Sequence, residues 1–139
     1  MEIKMKITVE VVVKATRDVV WKLWTTPEDI IRWNNASGDW HTPSAKTDLR
    51  PGGEFLYRME AKDGSVGFDF GGIFDNVKPK EYIAYTIGDG RKVEIRFTSI
   101  GTDTKVVETF EAESQNPIEM QRDGWQAILN NFKKYAETR

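Results

Sequence analysis

The sequence predicts an α+β fold: a curved antiparallel sheet of about six or seven strands around one long C-terminal helix, with two short helices after the first strand. Three observations carry this. "KITVEVVV" alternates Ile7, Val9, Val11 and Val13 with Thr8, Glu10 and Val12, the period of a strand. From Trp40 to Ser114, strand-length segments are separated by tight turns that leave no length for crossover helices. Near the end, Ile118, Trp125, Ile128, Leu129, Phe132 and Ala136 recur at helical spacing. A long helix with one apolar stripe must bury it on the sheet, and a twisted sheet curls around it.

After the first strand, Thr16 is positioned to cap a short helix with Asp18 in its first turn, and Val20, Leu23 and Trp24 mark its apolar face. "TTPED" starts a second, with Thr26 as cap and Pro27 at the first helical position, followed by Ile30, Ile31 and Trp33. "SAKTDLR" is read as a short strand, and "PGG" as a turn. "EFLYRMEA" places Phe55, Tyr57 and Met59 on one face. "KDGS" signals a hairpin, because Asp-Gly accepts the positive φ of a tight turn. In "VGFDFGGIFDNV", Gly71 and Gly72 predict a bulge or a close backbone approach. "YIAYTI", "KVEIRFTSI" and "KVVETFEAE" follow as strands. In the last of these, Val106, Glu108, Phe110 and Ala112 share one face, which turns a carboxylate inward if that face is concave. "NPIE" opens the long helix, with Asn116 as cap and Pro117 at the first position. Gly124, inside that helix, is expected to permit a close backbone approach, with Trp125 filling the deeper side of the cleft.

The chain has 139 residues, and one domain over 1–139 is expected. Charged residues make up 30% and the net charge is −2, with acids and bases mixed; no basic block offers itself to nucleic acid. The longest apolar run, Val11 to Val13, is too short for membrane insertion, and "MEIKMKITVE" lacks the apolar core of a signal peptide, so a cytoplasmic location is expected. With no Cys and one His, neither disulfides nor a zinc site of the usual kind is available. "RPGGEF" lacks the Gly-Lys-Ser/Thr of a phosphate loop, "GFDFGG" lacks a dinucleotide fingerprint, and no Gly-x-Ser-x-Gly elbow is present. No cofactor is expected. Aromatic residues reach 12%, enough to fill a core or to line a pocket.

Several segments together resemble one family. "VWKLWTTPEDIIRWN", "DLRPGGEFLYRMEAKDG", "GGIFDNVKPKEYIAYT", "GTDTKVVETFE" and "GWQAILNNFKKY" are similar, in order and over nearly the whole chain, to the activator of heat-shock protein 90 ATPase homologue-like branch of the SRPBCC superfamily. The resemblance implies the helix-grip fold of START and Bet v 1-like proteins. It also implies a cavity between sheet and long helix that takes an apolar small molecule.

On that fold, Trp33, Trp40 and His41 border the cavity mouth, where the tryptophans serve either as an aromatic gate or as ordinary packing. His41 is read as a surface-loop residue, since no local partner would orient it for catalysis. Phe55, Tyr57, Met59, Phe68, Phe70, Phe74, Tyr85, Ile95 and Phe97 are candidates for the concave face, and Met120, Trp125 and Ile128 for the roof. The expected ligand-binding set is Trp33, Trp40, Tyr57, Phe70, Phe74, Tyr85, Phe97, Glu108, Met120, Trp125 and Ile128, with Tyr57, Tyr85 and Glu108 as its polar groups. Three functions stay open. The protein binds a lipid-, polyketide- or aromatic-like molecule; or it is a cyclase, dehydratase or hydrolase using Glu108; or it activates a heat-shock ATPase as a chaperone partner. A monomer or weak homodimer is expected.

Overall fold

The computed structural model describes residues 5–138. Seven strands form one antiparallel sheet in the order β1-β7-β6-β5-β4-β3-β2. They are β1 (Lys6–Val13), β2 (Trp40–Thr47), β3 (Glu54–Ala61), β4 (Gly67–Lys78), β5 (Tyr82–Ile87), β6 (Lys92–Ile100) and β7 (Asp103–Glu111). Helices α1 (Arg17–Thr25) and α2 (Pro27–Trp33) follow β1, and α3 (Ile118–Glu137) closes the chain. The sheet curls into a half-barrel around α3, which is the helix-grip fold. Among the described residues, no helix is long and apolar enough to cross a membrane.

Period-two burial sets the concave face. Ile7, Val9, Val11 and Val13 alternate with exposed residues along β1. They lie beside Phe110, Glu108, Val106 and Thr104 of β7, in register. Along α3, Leu129, Phe132 and Ala136 are buried against this face, the stripe expected from the spacing.

The glycine pair in β4 is a close approach, and the strand runs straight through it. A Cβ on Gly72 would stand 2.2 Å from the Thr86 carbonyl oxygen of β5, and one on Gly71 2.8 Å from that of Phe55 on β3. The irregularity comes later, between Phe74 and Asn76. Bare backbone here lets β3, β4 and β5 crowd together.

Other details differ from the sequence reading. β2 begins at Trp40, earlier than "SAKTDLR", with its register shifted between His41 and Ser44. Pro43 sits in that shift, on a strand at the end of the sheet order, where a missing N–H is tolerated. Neither Thr16 nor Thr26 caps with its side chain; the Thr26 hydroxyl donates back to the Lys22 carbonyl at 2.6 Å. Helix α3 starts one residue later than expected, with Pro117 as its boundary residue. Its start is fastened instead by Gln121, whose amide donates to the carbonyls of Glu113 (3.1 Å) and Asn116 (2.8 Å) and accepts from the Glu113 N–H (2.9 Å). Gly124 makes no close approach, because a Cβ there would meet nothing within 4 Å.

Candidate functional site

Between the concave face and α3 lies a cavity of about 250 Å³. Phe55 and Tyr57 of β3, Phe70 and Phe74 of β4, Tyr85 of β5, Ile95 of β6 and Glu108 of β7 form its floor. Trp125 and Ile128 of α3 roof it, and Trp24 and Trp33 close one end. Inward alternation explains the floor. Tyr85 pairs with Phe74 and Val93, and Ile95 pairs with Glu108, so all of them point to the same side. Phe55 touches four other rings, from Tyr85 at 4.7 Å to Phe70 at 5.9 Å between centroids, which holds the aromatic floor rigid.

Trp125 stacks on Phe110 with centroids 3.9 Å apart and planes 11° apart. Parked there, its ring faces Phe70 edge-on at 6.2 Å and the space beside it stays open. Trp33 is held from behind: its indole N–H donates to the Leu23 carbonyl at 2.9 Å, and its own carbonyl accepts from Asn131 of α3 at 2.8 Å. The Tyr135 hydroxyl donates to Asp29 at 2.6 Å and ties α3 to α2. The end wall is therefore fixed to the long helix.

Glu108 is the electrostatic centre of the site. It is 6% exposed, and among the described residues no side chain or backbone group hydrogen-bonds to its carboxyl. Burial pushes its pKa up to about 8, so the acid is mostly protonated at neutral pH. Burial also raises the Tyr85 phenol, with added contributions from Glu108 and Tyr57, and burial raises Tyr57. The cavity therefore presents neutral O–H groups against an aromatic lining.

Of the expected ligand-binding residues, Trp33, Tyr57, Phe70, Phe74, Tyr85, Glu108, Trp125 and Ile128 line the cavity, and Trp40, Phe97 and Met120 do not. Phe97 points inward but is consumed by packing, edge-on to Trp21 (5.4 Å) and Trp24 (5.8 Å). Met120 is 59% exposed; five residues before Trp125, it lies about 140° around the helix from it. Trp40 is half-buried outside the mouth, its ring 5.9 Å from that of Phe68, which lines the rim. His41 lies on β2 rather than on a loop, its Nε2 3.7 Å from the Glu60 carboxylate of the paired strand. Arg91 is a lining residue that the sequence did not single out. Its turn partner Asp89 accepts from the Arg91 N–H at 3.1 Å and from Nε at 2.8 Å, aiming the side chain toward the cavity end. The Asp-Gly-Arg spacing was the available signal, and it reads first as turn chemistry.

A half-barrel sheet that grips one long helix over an apolar cavity defines a protein of the SRPBCC superfamily. The family model for Activator of Hsp90 ATPase homolog 1-like protein matches residues 14–137, and the chain belongs to that family. The solution structure of the AHSA1-like protein from Aeromonas hydrophila is 45% identical with a TM-score of 0.91, over 96% of this chain and 93% of that one. The solution structure of Chr148 from Cytophaga hutchinsonii is 56% identical with a TM-score of 0.84, over 96% and 92%. CalU16 from Micromonospora echinospora shares the fold at 21% identity, with a TM-score of 0.71 over 96% of this chain and 76% of that one. No curated protein matches the chain.

Proposed function

We propose that the protein binds an apolar or amphipathic small molecule, lipid-, polyketide- or aromatic-like, between the sheet and α3. The observation that carries this is the cavity of about 250 Å³ left under Trp125 and Ile128, with a largely aromatic lining. Burial of the ligand's apolar area would drive binding, at about 25 cal/mol per Å² removed from water. Native mass spectrometry of the freshly purified protein tests for a bound molecule, and Ile128→Phe tests the place. The larger ring fills space beside Trp125 and is expected to weaken binding at least about tenfold. Unchanged affinity in a folded Ile128→Phe protein would remove the cavity as the binding site.

A second reading makes the same cavity catalytic, with Glu108 as general acid at neutral pH; its raised pKa favours this. It predicts turnover that Glu108→Gln abolishes while binding persists. The family description also names a chaperone ATPase. Stimulation of a purified heat-shock ATPase by this chain tests that partner.

A further inference from the structure

The cavity's polar groups come from three different strands and share one deficiency. Glu108 of β7, Tyr85 of β5 and Tyr57 of β3 lie close enough for the first and last to perturb the Tyr85 phenol. Among the described residues, none of the three hydrogen-bonds to another protein group, and their oxygens keep surface open to the cavity they line. Each carries a proton to donate while Glu108 is neutral. The groups around Glu108 offer no charge to change that. Val9 of β1 and Ile95 of β6 flank it in the sheet, and Trp125 and Ile128 cover the cavity from α3. Arg91, the one cationic side chain of the lining among the described residues, is matched by Asp89 at 2.8 Å and reaches the Glu111 carbonyl at 3.5 Å.

We infer that the ligand presents a neutral carbonyl oxygen to Glu108, Tyr85 and Tyr57, which together form a donor pocket inside the apolar cavity. This rests on the binding function proposed above and names the ligand's polar end. A carboxylate head group would meet a buried acid and a cation already neutralised. An ammonium would require Glu108 to ionise without solvent, at a desolvation cost. An alcohol fits less well: its proton must take a lone pair of a tyrosine or of the Glu108 acid, so the three groups no longer act as donors alone. A carbonyl has two lone pairs, no proton and no charge, so it accepts from two of the three donors and asks for no acceptor in return. A carboxylic acid kept neutral by an apolar site can hold an oxygen in this way.

The test uses the full-length protein with 9-fluorenone and fluorene, which share a ring skeleton and differ by C=O against CH₂. Dissociation constants are measured by titration calorimetry, and the carbonyl stretch of bound fluorenone by infrared spectroscopy. Fluorenone is expected to bind about tenfold or more tightly than fluorene at neutral pH, the worth of one or two good hydrogen bonds. Its stretch should fall below that in hexane. The preference should shrink as pH rises through about 8, where Glu108 loses its proton. Glu108→Gln, whose amide donates without titrating, should keep the preference on both sides of that pH; Glu108→Leu should lose most of it. Equal binding of the two probes, or a preference untouched by Glu108→Leu, overturns the donor pocket while leaving the cavity as a binding site. Binding of neither probe, while a ligand found by native mass spectrometry is displaced by Ile128→Phe, overturns the carbonyl inference alone. Binding of neither with no such ligand overturns both.

Discussion

At one end of the concave face, Trp24, Trp33, Phe97 and Phe132 meet with ring centroids 4.7 to 5.8 Å apart. At the other, Phe55, Phe70, Tyr85 and Glu108 surround open space. Both ends belong to one sheet and lie under one helix. They differ in what reaches them from elsewhere. Helices α1 and α2 deliver Trp24 and Trp33 to the first end. Nothing comparable reaches the second, and Trp125 spends its ring on Phe110 instead. Aromatic content is thus not what makes a pocket: both ends are rich in rings, and the number of layers converging on each decides whether space remains.

The largest expected effect tests the packed end. Phe132 has no exposed surface, and Phe132→Ala should cost about 3–5 kcal/mol by leaving a void that rigid neighbours cannot close. Ile128→Ala, on the cavity roof, should cost only about 1–2 kcal/mol, since it enlarges a space that already exists. Urea midpoints of the two variants measure the contrast; equal costs would mean that the two ends are packed alike.

Next comes pH. Glu108 has a folded pKa of about 8 against an ordinary 4.5, so the folded state holds its proton more tightly than the unfolded one. Its contribution is fully present below pH 4.5 and is lost as pH rises through about 8. Glu108→Gln should remove that slope, worth on the order of a few kcal/mol across the window. Tm measured against pH for both proteins shows it, because exposed groups shifted the other way, such as Asp63 and Glu137, cancel in the difference. Parallel curves would mean that Glu108 is solvated at the hollow end.

The smallest effect concerns the helix that spans both ends. Gly124→Ala should stabilise the protein by about 0.5–1 kcal/mol, because the added methyl meets nothing within 4 Å and the helix gains propensity. A loss of stability would show that the roof needs bare backbone there.

Much of this architecture is legible in the sequence because it follows from local periodicity. Strand alternation on β7 puts Glu108 inward, and one residue of slip would have put it outward. The stripe Leu129, Phe132, Ala136 names the helix's buried face. Where periodicity alone was asked to choose among residues on nearly the right face, it failed. Met120 falls outside the stripe by its angle, and Phe97 lies on the concave face of the sheet but under α1. Trp40 lies beyond the rim.

The sequence by itself therefore determined the element order, the buried face of most strands and of the long helix, and the presence of an inward carboxyl. Those properties depend on neighbours a few residues away. Tertiary structure decided where the hollow falls, that Arg91 borders it, that a Cβ on Gly124 would meet nothing within 4 Å and that, among the described residues, nothing hydrogen-bonds to the Glu108 carboxyl. Each of these depends on whether atoms from distant segments occupy a given volume, and a one-dimensional pattern carries directions but no distances.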